Sequence, residues 1–191
     1  MNALYEKVGR WIEAVIEKEG EEYTNHEDDS GGPTKFGITE DTLKSLPLDL
    51  EVKDLTKEDA IFIYYQEYYH KPKYELLVDI GFDRLAEELF DTGVNMGVRT
   101  GIKFLQRTLN VFNNKQKYYD DLKVDGYLGT KTISAIKDLV YIRGASKTEA
   151  VLFNSVNSLQ AARYIELAEN DEKDETFVWG WISKRADFIP F

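Results

Sequence analysis

A chain of 191 residues without cysteine is long enough to bury one sizeable core with no disulfide to support it. Its 24 Lys and Arg against 35 Asp and Glu leave a net charge of −11, which argues against nucleic acid as a partner, because phosphate binding relies on clustered cations. The start, Met1-Asn2-Ala3-Leu4-Tyr5-Glu6-Lys7, lacks the basic region and apolar core of an export signal, and no stretch is apolar enough to span a bilayer. Synthesis in the cytoplasm without a signal peptide and no integral membrane segment are therefore expected.

The first predicted element is an amphipathic helix over residues 3–18, where Leu4, Val8, Trp11, Ile12, Val15 and Ile16 recur at steps of three and four. Wound at about 100° per residue, those side chains fall within an arc of roughly 140°, and Glu19 lies near its middle. A carboxylate aimed at the protein body is costly to ionise, so its pKa is expected to rise, as a general acid working near neutral pH requires. Helix geometry alone leaves a second course open, in which Gly20 stops the helix and Glu19 bends out to water.

Next come the turn-formers Asn25, Asp28, Asp29, Ser30, Gly31, Gly32 and Pro33, flanked by Tyr23 and Thr24 on one side and Phe36, Ile38 and Thr39 on the other. This pattern predicts a β-hairpin over residues 22–39, with Asp28 and Asp29 in its turn and Thr34 on its return strand. A short helix over 40–46 ends at Pro47, and Thr56-Lys57-Glu58-Asp59 announces another, capped by Thr56 and running to about residue 69. It carries two aromatic stripes at period four, Ile61, Tyr65 and Tyr69 beside Tyr64 and Tyr68. One stripe suits the core and the other a groove, where tyrosine can pack its face on a sugar ring. His26 and His70 are isolated, so no metal site and no cofactor are expected.

Helical periodicity returns at Leu85, Leu89, Phe90 and Val94. Asp91 and Asn95 stand one turn apart on one face, and Gln106 belongs to the following helix. Buried polar groups must find partners, and these are equally consistent with struts and with groups that hold sugar hydroxyls and acetamides. Asp125-Gly126 reads as a turn and Gly129-Thr130 as a helix start with Thr130 as cap. A helix over 150–169, a solvated acidic loop over 169–175 and the aromatic run Phe177-Val178-Trp179-Gly180-Trp181 complete the chain.

Asp29-Ser30-Gly31-Gly32-Pro33-Thr34-Lys35-Phe36-Gly37-Ile38-Thr39 resembles the signature of the bacterial and phage N-acetylmuramidases also called secretion activator proteins, Asp-Pro-Gly-Gly-x-Thr-x-x-Gly-Ile-Thr. The preceding Glu19-Gly20-Glu21-Glu22-Tyr23 has one residue more than that family's Glu-Gly-Gly-Tyr, so its glutamate aligns with Glu19 or with Glu21; the helical wheel favours Glu19. Phe90-Asp91-Thr92-Gly93-Val94-Asn95-Met96-Gly97, Phe104-Leu105-Gln106 and Val124-Asp125-Gly126-Tyr127-Leu128-Gly129-Thr130 are similar to the family's predicted peptidoglycan-binding segment. The closing Phe-x-x-Gly-Trp-x-x-Arg pattern is met by Phe177, Gly180 and Trp181, with Lys184 in the arginine's place and Arg185 one position later.

The resemblance implies a mainly α, lysozyme-like helical domain with a small β-hairpin after the first helix. It spans 1–191 as one domain, with a catalytic part at 1–88 and the peptidoglycan-binding likeness at 89–191. It also implies a muramidase acting on the glycan strands of peptidoglycan. Glycoside hydrolysis generally needs an acid to protonate the leaving oxygen and a second carboxylate to stabilise the cationic state or activate water. Glu19 is the implied acid, Asp29 the second group with Asp28 beside it, and Thr34 positions water or substrate. Tyr23, Asp28, Tyr64, Tyr68, Asp91, Asn95 and Gln106 are the expected substrate-binding set. The acidity favours local delivery to the wall, through a holin or a secretion machinery, over free diffusion, and a monomer is expected. A non-lytic peptidoglycan-binding accessory protein for secretion or phage release is the competing expectation.

Overall fold

The computed structural model describes residues 3–24, 32–186 and 189. The chain divides into two compact units, Met1–Lys71 and Pro72–Phe191.

In the first unit, α1 (Ala3–Glu19) forms over the periodic run, and Val8, Trp11, Ile12, Val15 and Ile16 are all buried. Gly20 ends it with φ +89°, its N–H donating to the Ile16 carbonyl at 2.9 Å, a left-handed stop that glycine adopts without a Cβ penalty. The hairpin differs from the expected one. Thr24 and Thr34 form an antiparallel bridge through two 2.9 Å hydrogen bonds, but the chain then turns again at once. β1 (Thr34–Lys35) pairs with β2 (Ile38–Thr39) in the register Thr34 to Thr39 and Lys35 to Ile38, which leaves Phe36 and Gly37 as a two-residue loop. Both have positive φ, 55° and 73°, as a type I′ turn demands. Phe36 is thus a turn residue and not a strand residue.

Helix α2 (Glu40–Lys44) follows directly, its first turn capped by the Thr39 hydroxyl, which accepts from the Thr42 N–H at 3.2 Å. A capping box of Thr56 and Asp59 starts α3 (Lys57–Ile63). The helix does not stay α-helical. Residues Tyr64–His70 form a π-helix, closed where the Lys71 N–H reaches the Gln66 carbonyl at 2.9 Å. This corrects the period-four stripes: with i→i+5 bonding the fully buried tyrosines are Tyr64 and Tyr69, five apart, while Tyr65 and Tyr68 are half-buried.

The second unit contains α4 (Glu75–Val78), α5 (Asp83–Met96), α6 (Val98–Phe112), α7 (Thr130–Arg143), α8 (Ala145–Asn170) and α9 (Glu175–Arg185). Leu85, Leu89 and Phe90 of α5, Ile102, Leu105 and Leu109 of α6, and Leu152 and Val156 of α8 form its core, each no more than 1% exposed. Tyr74, just before α4, is completely buried and donates its hydroxyl to the Leu89 carbonyl at 3.1 Å; burial pushes its phenol well up. Gly129 is the N-cap of α7 and Thr130 its first helical residue, so Thr130 is not the cap. Among the described residues no helix is long and apolar enough to cross a membrane.

Candidate active site

Glu19 is the last residue of α1, and its stem is held against the hairpin turn. A Cβ built on Gly37 would stand 2.8 Å from Glu19 Cγ, 2.9 Å from Glu19 Cβ and 2.7 Å from the Tyr64 hydroxyl. Any other residue there would displace Tyr64 or Glu19 and strain a backbone at φ 73°. The same Tyr64 hydroxyl donates to the Phe36 carbonyl at 2.9 Å and fixes the turn. Glu19 as a whole is nevertheless exposed. The wheel placed it correctly toward the unit's own structure, but the contact is made by its Cβ and Cγ against Gly37, and the buried setting expected for the carboxylate is not found.

Tyr68 belongs to the same neighbourhood. Burial pushes its phenol up, the charge of Glu67 adds to that, a hydrogen bond with Thr42 opposes it, and the Glu19 charge adds a smaller push. Thr42 itself shares a 3.0 Å hydroxyl contact with Thr39. The order of helix, glutamate, turn and tyrosine is therefore built by local signals: a glycine stop, a type I′ turn and a π-helical tyrosine pair.

Thr34 lies at the start of β1, half-buried, with its hydroxyl donating to the Gly32 carbonyl at 3.2 Å. Tyr23 is 44% exposed beside the Thr24 bridge. Asp28 and Asp29, like Asn25, His26 and Gly31, lie outside the described residues. Tyr64 is only 1% exposed and its hydroxyl is engaged, so it shapes the turn and offers no open ring face. Glu21, the rival of Glu19, is tied to α3 by a 2.6 Å ion pair with Lys57, and that pairing holds the Lys57 ammonium above its ordinary value.

The remaining expected residues are in the second unit and are occupied there. Gln106 is 2% exposed and staples a turn with both ends of its amide, donating to Asp125 at 3.0 Å and to the Tyr127 carbonyl at 3.1 Å while accepting from the Gly126 N–H at 2.9 Å. Asn95 donates to the Asp91 carbonyl at 2.7 Å and its carboxylate at 3.3 Å. Asp91 also receives Arg185 of α9 on both oxygens, at 3.2 and 3.4 Å. Of the two readings open for these groups, the struts have the contacts. The arginine displaced by one position reaches a partner after all, whereas Lys184 is exposed. Thr42 has no role in the sequence reading, where Gly37 stands only within the signature and Arg185 only as displaced by one position. For Gly37 a signal was present, a glycine midway between two short β-prone pieces.

Two family models and a solved structure are similar to this chain. Residues 12–97 match the family model described as glycosyl hydrolase 108, and residues 100–186 match the one described as a predicted peptidoglycan domain. A solved structure of Brucella abortus SagA is similar at a TM-score of 0.67 and 26% identity, over 95% of this chain and 90% of that one. No curated protein matches the chain significantly. The fold is mainly α and lysozyme-like, and the chain is a peptidoglycan hydrolase whose residues 12–97 are similar to glycosyl hydrolase 108 and whose residues 100–186 are similar to a predicted peptidoglycan domain.

Proposed function

We propose that the enzyme is an N-acetylmuramidase that cleaves the β-1,4 bond between N-acetylmuramic acid and N-acetylglucosamine, with Glu19 as its general acid. The observation that carries this reading is the seat of Glu19: a carboxylate at a helix end, its stem held over a type I′ turn at a glycine where any side chain would displace Tyr64 or Glu19, within the glycosyl hydrolase match. Protonated Glu19 gives its proton to the departing glycosidic oxygen as the C–O bond breaks. Water then adds at the anomeric carbon and returns a proton to carboxylate. Asp29 is the second carboxylate, with Asp28 beside it, and Thr34 positions water or substrate. Tyr23 and Tyr68 offer ring faces to the sugars, while Tyr64 holds the turn. Asp91, Asn95 and Gln106 keep the second unit in shape. The enzyme works as a monomer on the wall, in the periplasm of a Gram-negative host, after passage through a holin or a secretion machinery.

The test is the identity of the new reducing end. Purified peptidoglycan is digested, reduced with borohydride and hydrolysed. Muramitol is the expected product; glucosaminitol would replace the muramidase by a glucosaminidase, and neither product would leave a non-lytic wall-binding protein.

A further inference from the structure

The second unit holds a cavity of about 420 Å³ between the end of α6, the end of α7 and the first turns of α8. Its walls are Phe112, Leu139, Val151 and Leu152, with Val111 left 76% exposed at the mouth. Thr148 adds no free hydroxyl to this wall, since it donates to the Gly144 carbonyl at 2.7 Å. The charged residues of the lining are cationic, Arg143 and Lys147. Arg143 is steadied by Tyr118, donating to its hydroxyl at 3.4 Å and lying 5.8 Å over its ring. In a chain of net charge −11, a lining whose charged residues are two cations and no carboxylate is a local reversal of sign. The volume falls within the range of sites that enclose small ligands.

We infer that this cavity binds the stem peptide of peptidoglycan, with its small methyl side chains inside and its carboxylates on Arg143 and Lys147. The inference rests on peptidoglycan being the substrate, and it separates the polymer's two chemistries: the uncharged sugar backbone goes to the glutamate site, and the anionic peptide goes here. A neutral oligosaccharide gives the two cations nothing to pair with, and a plain polyanion leaves the apolar walls unused. The peptide satisfies both.

The experiment uses the full chain and a fluorescent tetrapeptide, L-alanyl-γ-D-glutamyl-L-lysyl-D-alanine labelled on its lysine, with binding read by anisotropy. The parent is expected to bind it saturably, without competition from chitotetraose. Arg143→Glu with Lys147→Glu should weaken binding at least tenfold, and so should Val151→Trp, which fills the hollow; circular dichroism checks that both variants are folded. Arg163→Glu with Lys173→Glu makes the same change of charge elsewhere and should leave binding unaltered. No peptide binding, equal loss in the control variant, competition by dextran sulfate as strong as by unlabelled peptide, or a dimer that Arg143→Glu with Lys147→Glu dissociates would each overturn the inference. Because the readout needs no cleavage, a chain that binds the peptide but releases no reducing ends refutes the muramidase and leaves this inference standing, and the converse result does the opposite.

Discussion

Polar side chains in the two units have opposite surroundings. In the first, Glu19 and Tyr23 are exposed and Thr34 is half-buried, each on backbone fixed by a helix end, a bridge or a tight turn. In the second, Gln106 is buried with three hydrogen bonds, and Asp91 is closed off between Asn95 and Arg185. A fully paired buried amide is a strut, because any ligand would first have to break bonds whose loss leaves buried groups unsatisfied. An exposed carboxylate on an immobilised stem faces solvent, where a substrate can reach it, while its position stays set. Residue types alone do not separate these roles; burial and partners do.

That contrast breaks or sharpens under substitution. The largest expected effect is on Glu19→Gln, which keeps the shape and removes the proton donor: cleavage of purified peptidoglycan should fall about 10²- to 10⁴-fold with melting temperature unchanged. Asp91→Ala removes the carboxylate that receives Arg185, whose side chain is 10% exposed, and should cost about 3 kcal/mol in urea unfolding while the folded fraction keeps its activity. A loss of substrate affinity at unchanged stability would instead make Asp91 a ligand-binding group and erase the difference between the units. Gly37→Ala meets a backbone at φ 73° and contacts under 3 Å. The φ alone costs about 1–2 kcal/mol, and because the side chains that must yield are Tyr64 and Glu19, activity should drop more than stability does. Tyr64→Phe removes the donor to the Phe36 carbonyl and should cost about 1–2 kcal/mol, read by thermal melting. Smallest of all is Glu21→Gln: it loosens an exposed pair with Lys57, and both activity and stability should stay at parent values.

Much of this was legible in the sequence, for physical reasons that particular residues make plain. The apolar spacing of α1 located Glu19 at its end, and Thr56 with Asp59 announced α3, because periodicity and caps are local signals. Local signals also misled. Period-four counting through Tyr64, Tyr65, Tyr68 and Tyr69 assumed an α-helix where the backbone widens to π, so the buried pair came out wrong. The second turn at Phe36 and Gly37 was hidden because a bulky aromatic rarely takes positive φ, and the Tyr64 hydroxyl that bonds its carbonyl comes from 28 residues away. The partnership of Asp91 with Arg185 spans 94 residues and was beyond any window. The exposure of Glu19 was likewise set by tertiary structure, which a helical wheel does not contain.

The most direct test of the central assignment reads binding and cleavage from one sample: parent and Glu19→Gln are each mixed with purified peptidoglycan, and sedimented protein and released reducing ends are both measured. The account predicts equal sedimentation, with reducing ends from the parent alone. Release by Glu19→Gln at the parent's rate would contradict it and remove Glu19 from the chemistry.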